Sequence, residues 1–210
     1  MATTFVLVRH GETEWNRAGR IQGHTDSALT AAGVEQALAI GRQLAEDRFD
    51  HLLASDLGRA HRTASLISPH VNLTITSHTG LRERRFGIAE GKTYAEIDRD
   101  HPEMFSRVRE TDPDYAAAGG ESRRQFHTRV MATLNSLAHE HAGRKLLLVT
   151  HGGVLAAIYR SLNGLPIASP HQIEIPNAAY NRISCIDSDW QVDVWAGTEH
   201  LGERTDNDRI

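Results

Sequence analysis

The chain has 210 residues, of which 40% are hydrophobic and 24% are charged, and its formal net charge is -4 at pH 7. This length is sufficient for one domain with a sizeable core, and the composition is ordinary for a globular protein. The negative charge and the lack of a lysine- or arginine-rich run argue against nucleic-acid binding, and no apolar stretch of the sequence approaches the ~20 residues of a membrane-spanning helix.

The first predicted element is a buried strand over residues 5–8, Phe-Val-Leu-Val, which is followed directly by Arg9-His10-Gly11. A buried strand needs the apolar run, but it does not need an arginine beside a histidine at its end. Ligands of parallel α/β sheets bind at the carboxyl ends of the strands. We therefore expect the imidazole and the guanidinium to lie in a binding site.

The following segments alternate between helical and extended patterns. A helix is predicted to begin after Thr30, a suitable N-cap, because apolar residues recur on one face between residues 34 and 45. The next predicted elements are a strand over residues 50–55, a helix over 57–67 and a strand over 71–76. This alternation is typical of a parallel or mixed sheet that is covered by helices.

Residues 84–121 interrupt this alternation. Thr93 and Glu96 form a capping-box pattern at which a helix is expected to begin, and the pair His101-Pro102 interrupts that helix. The segment therefore predicts a small helical excursion that lies over the site like a cap.

The last third of the chain contains a second strand that ends in a histidine. A capping box that begins at Ser122 predicts a long helix to about His141, and the apolar run of residues 145–149 predicts the strand. Thr150, His151 and two glycines follow the strand and lead into another predicted helix. Two strands that each end in a histidine suggest one site with two imidazoles.

The C-terminal part is predicted to contain a hairpin, with strands over residues 183–186 and 191–195, and a polar, frayed tail over residues 201–210. Cys185 is the one cysteine of the chain, and we expect it to be a buried, unreactive thiol. A single cysteine excludes an intrachain disulfide and favours a reducing compartment, and no signal-peptide pattern is visible. We therefore expect a cytoplasmic protein of one domain over residues 1–210.

Four motifs of the sequence resemble those of one protein family in their order and spacing. They are Arg9-His10-Gly11-Glu12-Thr13 with Asn16, Ser55-Asp56-Leu57-Gly58-Arg59-Ala60, Glu83, and Thr150-His151-Gly152-Gly153. Through these residues nearly the whole chain resembles the histidine phosphatase superfamily, which is also called phosphoglycerate mutase-like. The resemblance implies an α/β fold of three layers, α/β/α, with a mainly parallel sheet and a small helical cap-like insertion over residues 84–121.

The resemblance implies that His10 is the nucleophile of a phosphoryl transfer. This reaction requires a neutral imidazole with one nitrogen free and the other donating a hydrogen bond, and Gly11 leaves room for the phosphate. The resemblance also places Arg9, Arg59 and His151 around the phosphate, with His151 protonated in the bound state, where cationic donors stabilise the transferring group. The complete predicted set of phosphate and substrate contacts is Arg9, Asn16, Gln22, Gly23, Arg59, His151 and Gly152.

The leaving alkoxide needs a proton, and the resemblance assigns its delivery to Glu83. A carboxylic acid can protonate the leaving group and, once ionised, activate the water that hydrolyses phosphohistidine. Glu12 and Glu90 are the alternative carboxylates. Although the chain has 13 histidines, it contains no HExxH motif and no Cys/His ligand spacing, so we expect neither a metal site nor a cofactor.

Within the superfamily, the sequence favours a phosphatase over a 2,3-bisphosphoglycerate-dependent phosphoglycerate mutase. The Gln22-Gly23 pair resembles phosphatases, and the segment between Glu83 and His151 is shorter than in these mutases, whose phosphorylated intermediate must be kept from water. Arg84 instead matches a mutase position that helps to bind a substrate carboxylate. The mutase therefore stays an alternative.

A non-catalytic scaffold of the same fold is an alternative from another class. Such relatives typically lose a catalytic histidine or arginine, and this chain lacks none of the motif residues. The expected partner is a small-molecule phosphomonoester, with no nucleic-acid or membrane partner. The sequence does not determine the natural substrate, and it leaves open whether the chain forms a homo-oligomer.

Overall fold

One six-stranded sheet forms the centre of the fold. The computed structural model describes residues 1–109, 112–169 and 173–202. The strands are β1 (Thr3–Arg9), β2 (His51–Ala54), β3 (Ile75–Ser77), β4 (Lys145–Thr150), β5 (Tyr180–Ile186) and β6 (Asp189–Gly197). They lie in the order β3-β2-β4-β1-β5-β6, with the first four parallel to one another and β5 antiparallel to both of its neighbours. The predicted mainly parallel sheet is confirmed.

Helices cover both faces of this sheet. The α-helices of the described residues are α1 (Glu14–Arg17), α2 (Ala31–Gln43), α3 (Gly58–Val71), α4 (Tyr94–Asp100), α5 (Pro102–Arg109), α6 (Arg123–Glu140) and α7 (Gly152–Leu162). Successive residues of a strand point to opposite faces. In β1, Phe5 and Leu7 belong to the apolar cluster that contains α6 and α7. Val6 and Val8 belong to the cluster that contains α2 and α3, so the predicted three-layer α/β/α fold is confirmed.

Two elements differ from the expectation based on sequence. The strand predicted over residues 71–76 is present but starts too early in the prediction, because the first of these residues ends α3 and β3 covers Ile75–Ser77. Asn72 ends the helix in the left-handed conformation, with a φ of 54°, and its N–H donates to the carbonyl oxygen of Ser68. The short helix α1 has no counterpart among the predicted elements, because its capping box pairs Thr13 with an asparagine rather than with Glu or Gln.

The region over residues 84–121 contains the two short helices α4 and α5, and α4 begins where the capping box predicts it. The hydroxyl of Thr93 accepts from the N–H of Glu96, whose carboxylate accepts from the N–H of Thr93. The buried residues of the apolar cluster in this region are Ala89, Ile97 and Met104. Residues 110–111 lie outside the described residues, as does the predicted frayed tail from residue 203 onward.

Candidate active site

The two strands that end in histidines are neighbours in the sheet. β1 and β4 pair in parallel, with Arg9 opposite Thr150, so the next residues, His10 and His151, follow at the same carboxyl edge. Their ring centroids lie 5.3 Å apart, and both side chains are buried. The structure thus brings the two imidazoles together at the edge where ligands of parallel sheets bind.

His10 has the tautomer that a nitrogen nucleophile needs. Its Nδ1 lies 2.8 Å from the carbonyl oxygen of Gly11, and because a carbonyl can only accept, Nδ1 carries the proton. Nε2 therefore has the free electron pair, and the Nε–H of Arg59 donates to it at 3.3 Å. Burial lowers the pKa of His10 well below its ordinary value, and the positive charges of Arg59 and Arg9 lower it further. The imidazole is therefore neutral at pH 7.

Arg59 connects His10 to a neighbouring loop. Its buried guanidinium donates to the carbonyl oxygens of Gly23 at 2.7 Å and Thr25 at 3.1 Å. It also forms an ion pair with Asp26 at 2.8 Å. These contacts fix the guanidinium beside Nε2 of His10, so that no rearrangement is needed to place a cation there.

The predicted contacts Gln22 and Gly23 lie in the same loop. Gly23 has a φ of +58°, and a Cβ at this position would lie 2.2 Å from Oε1 of Glu90, so only glycine fits. Gln22 is buried, and its Oε1 makes no hydrogen bond within the part of the chain that the structure describes. This unsatisfied amide oxygen is an acceptor, so it is available to a hydroxyl or N–H group of a ligand.

Arg9, Gly152 and Asn16 are fixed by the backbone around them. The buried Arg9 donates from Nη1 to the carbonyl oxygen of Ile175. A Cβ at Gly152 would lie 3.4 Å from Nε of Arg9, so the first turn of α7 packs against this guanidinium. Asn16 uses its Oδ1 to accept from the N–H of Thr13 at 3.2 Å, which leaves its amide NH₂ group as the donor for a ligand.

His151 is neutral while the site contains no ligand. Its Nε2 shares a hydrogen bond with the hydroxyl of Ser55 at 2.8 Å, and its buried Nδ1 has no partner among the described residues. Burial lowers the pKa of His151 well below its ordinary value, and the positive charge of Arg59 lowers it further. An added negative charge, such as that of a phosphate, would favour protonation of this imidazole.

The side chain of Glu83 is hydrogen-bonded to the start of α7, at the edge of the site. Its Oε2 accepts from the N–H of Gly153 at 2.9 Å, and its Oε1 accepts from the N–H of Arg84 at 2.7 Å. Because Gly153 is two residues beyond His151, these bonds place the carboxylate next to the strand end that carries the second histidine. The predicted proton donor is thus brought to the same edge of the sheet.

The alternative carboxylates are engaged in local structure. Glu12 accepts from the hydroxyl of Thr30, the N-cap of α2, at 2.7 Å. Glu90 accepts from the backbone N–H groups of His24 at 3.1 Å and Thr25 at 2.9 Å. These bonds commit both side chains to the shape of the loops around the site, whereas the bonds of Glu83 place its carboxylate at the start of α7, beside His151.

The sequence as a whole agrees with this geometry. Residues 5–198 match the family model described as the histidine phosphatase superfamily (branch 1). The chain belongs to this superfamily. The resemblance inferred from the motifs is therefore confirmed, and it extends over nearly the full length of the chain.

Relatives of this histidine phosphatase include proteins named for both predicted activities. It is 38% identical over 202 residues to the metal-independent phosphoserine phosphatase of Arabidopsis thaliana. This alignment covers 95% of this chain and 83% of the plant protein. It is 35% identical over 204 residues to phosphoglycerate mutase-like protein 4 of the same plant, over 94% and 86% of the two chains. A mycobacterial glucosyl-3-phosphoglycerate phosphatase has a similar structure, with a TM-score of 0.82 and 33% identity over 94% of this chain and 100% of the other. The predicted enzyme class, a phosphatase of this superfamily, is confirmed.

Two further properties concern the parts of this histidine phosphatase that the structure describes. Across residues 1–109, 112–169 and 173–202, no helix is both long and apolar enough to cross a membrane. Within the same ranges, no group of three or more His, Cys, Asp and Glu side chains is arranged to hold a metal ion. The side chains that surround His10 are instead donors suited to a phosphate.

Three residues that support the site of this histidine phosphatase are absent from the predicted contacts. Gly153 donates to Glu83, and Ser55 shares a hydrogen bond with His151. Both lie inside the motifs that carry the family resemblance, so the sequence contained a signal for them. Asn177, whose Nδ2 donates to the carbonyl oxygen of His10 at 3.0 Å, lies 167 residues away along the chain, and no local pattern indicates it.

Replacement of Gly153 by alanine is expected to slow this histidine phosphatase on alkyl phosphates. A Cβ at this position would lie 2.1 Å from Oε1 of Glu83, so the carboxylate must move. A displacement of about 1 Å can lower a rate by about 10²-fold, and steady-state hydrolysis of an alkyl phosphate measures the loss. The same substitution in a Glu83→Ala background is the control, and a comparable further loss there would contradict this explanation.

Proposed function

We propose that this histidine phosphatase hydrolyses a small phosphomonoester in two steps, through a phosphohistidine at His10. The observation that carries the proposal is the buried, neutral imidazole of His10, whose Nε2 electron pair faces the guanidinium of Arg59. Attack on a phosphate by nitrogen requires such a free electron pair next to fixed cationic donors.

In the first step, Nε2 of His10 forms a bond to phosphorus, and the bond between phosphorus and the ester oxygen breaks. Arg9, Arg59 and protonated His151 stabilise the negative charge on the transferring group. Because burial keeps His151 neutral without a ligand, the phosphate dianion itself supplies the charge that favours its protonation. The neutral contacts to phosphate or substrate are Asn16, Gln22, Gly23 and Gly152.

Glu83 moves a proton in both steps. In the first step its carboxylic acid gives the proton to the leaving alkoxide oxygen. In the second step its carboxylate takes a proton from water while the water oxygen attacks phosphorus. The bond from nitrogen to phosphorus then breaks, its electron pair returns to Nε2 of His10, and inorganic phosphate leaves.

The substrate is a phosphorylated metabolite of small size. Two relatives are named as phosphatases of phosphoserine and of glucosyl-3-phosphoglycerate, and both of these are small phosphomonoesters. Since the chain carries a net charge of -4, local arginines rather than the overall field must attract the phosphate. We further propose that one domain contains the site and that its residues 84–121 cover the leaving group. The buried Cys185 forms no disulfide, and we propose that the protein works in a reducing cytoplasm.

A panel of phosphomonoesters, assayed with and without 2,3-bisphosphoglycerate, tests the proposal. Phosphate release from p-nitrophenyl phosphate and from at least one metabolite, independent of 2,3-bisphosphoglycerate, is the expected result. The mutase is the second candidate, because a mutase-like relative is 35% identical and Arg84 adjoins Glu83. Conversion of 3-phosphoglycerate that depends on 2,3-bisphosphoglycerate would favour the mutase, and the absence of any hydrolysis would favour a scaffold.

Chelators are expected to leave the activity unchanged. The positive charge that stabilises the transferring phosphoryl group comes from Arg9, Arg59 and protonated His151, so the mechanism does not need a cation. Phosphatase activity measured before and after dialysis against EDTA checks this expectation, and vanadate should inhibit both samples equally. Complete loss of activity in EDTA that added metal restores would contradict the proposed source of the charge.

A further inference from the structure

Arg129 of α6 reaches the short segment that ends in Glu83. Its Nη1 donates to the carbonyl oxygens of Gly80 and Arg82, both at 3.0 Å. Its Nη2 donates to the carbonyl oxygen of Glu83 at 3.2 Å. One side chain from a helix far along the sequence thus binds three carbonyl groups of this segment, and the backbone position of the acid depends on α6.

Glu121 binds the other edge of the same guanidinium. Nε and Nη2 of Arg129 donate to the two carboxylate oxygens of Glu121 at 2.9 and 2.8 Å, which is a bidentate arrangement. Although burial opposes ionisation, hydrogen bonds from Arg129 and from the N–H of Arg85 keep the pKa of Glu121 below its ordinary value. The five N–H groups of the guanidinium therefore match five acceptor contacts.

The backbone and the carboxylate of Glu83 are held by different partners. Its carbonyl oxygen accepts from Nε2 of His24 at 2.9 Å as well as from Arg129. Its carboxylate accepts from the N–H of Gly153. Arg129 therefore bonds to the main chain of Glu83 and sets the starting point of the side chain that carries the proton.

We propose that Arg129, with Glu121 as its counter-ion, is a positioning residue for Glu83. This inference rests on the proposed role of Glu83 as the proton donor. A lysine cannot replace the arginine, because a single ammonium group with three donors cannot reach five acceptors arranged around a planar fork. Loss of these bonds displaces the acid, so it affects the reactions whose leaving group needs a proton.

The test compares Arg129→Lys and Arg129→Gln with the control Arg144→Lys, which alters an exposed ion pair with Asp50 at the amino end of β4. The rate of enzyme phosphorylation by an alkyl phosphate is expected to fall about 10- to 100-fold in both Arg129 variants, and the rate with p-nitrophenyl phosphate by less than about threefold. The control is expected to match the wild type for both substrates. Circular dichroism and Tm establish that each variant is folded.

Double variants show whether Arg129 acts through Glu83. In a Glu83→Gln background, Arg129→Lys is expected to cause no further loss with the alkyl phosphate. An undiminished loss in that background, or an equal loss for the two substrates in the single variant, would overturn the inference.

Two further measurements separate the possible failures. If Glu83→Gln alone slows both substrates equally, the proposed acid role is wrong and the inference is wrong with it. If Glu83→Gln discriminates between the substrates but Arg129 is not coupled to it, the inference alone is wrong. If Arg129→Gln does not fold, Glu121→Gln is the substitute, because it removes one of the two bonds of the bidentate pair. The same selective loss with the alkyl phosphate is expected, and its absence would also contradict the positioning role.

Discussion

Replacement of His10 by alanine is expected to abolish phosphatase turnover while the protein stays folded. A hydrolase that loses its nucleophile can lose activity on the order of 10⁶-fold. The cavity left by the buried imidazole should lower the free energy of unfolding by about 1–3 kcal/mol, which is a fraction of the total of about 5–15 kcal/mol for a typical domain. Hydrolysis of p-nitrophenyl phosphate measures the activity, and circular dichroism with thermal unfolding measures the fold.

Chemical trapping identifies the atom that receives the phosphoryl group. Wild-type enzyme quenched during turnover should carry phosphate that is labile in acid and stable in base, located on the peptide that contains His10. The variant His139→Ala, which changes an exposed histidine of α6, should retain both turnover and trapping. Phosphate on another residue, or near-normal turnover of the His10 variant, would show that the nucleophile is misassigned.

The features that sequence predicts best are those that depend on neighbouring residues. The apolar run of β1 and the Arg9-His10-Gly11 that follows it are contiguous, and so are the capping boxes at Thr93 and Ser122. A parallel sheet converts these local patterns into a site, because the carboxyl ends of adjacent strands meet. The pairing of β1 with β4 brings His10 and His151 together, and two strands with the same ending suggest it.

Contacts between distant segments leave no such pattern. Arg129 lies on a polar stretch of an amphipathic helix, and its sequence neighbours would suit a solvent-exposed arginine equally well. Asn177 lies in an irregular segment just before β5. The error at residues 71–76 has a different origin: β-branched residues favour a strand there, but the continuing helix and the left-handed Asn72 determine the backbone.

The same surroundings serve both protonation states that catalysis needs. Burial and the charge of Arg59 lower the pKa of His10, which keeps its electron pair free for attack. Burial and Arg59 also lower the pKa of His151, and a bound phosphate dianion would offset this positive charge. In the proposed mechanism, this buried pocket with its two arginines keeps His10 neutral before binding and stabilises the phosphoryl group after it.

Replacement of Glu83 by glutamine is expected to slow alkyl phosphates far more than p-nitrophenyl phosphate. General acid catalysis contributes about 10²–10⁴-fold, and the nitrophenolate leaving group needs little of it. Glutamine preserves the shape of the side chain and can still accept one of the two bonds, from the N–H of Gly153, so the pocket should persist. Single-turnover phosphorylation rates for the two substrates measure the difference.

Steady-state rates alone can hide this difference, since in the proposed mechanism the same carboxylate activates water against phosphohistidine. If dephosphorylation limits turnover, Glu83→Gln slows both substrates equally at steady state, although the first step still discriminates between them. The matched variant Glu90→Gln weakens the bonds that hold His24 and Thr25, and through them the loop that Arg59 binds. It should therefore slow phosphorylation by both substrates, and because His24 also bonds to the carbonyl oxygen of Glu83, the alkyl phosphate should lose somewhat more, but far less than in Glu83→Gln. A selective loss in Glu90→Gln, together with an equal loss in Glu83→Gln, would move the acid role away from Glu83.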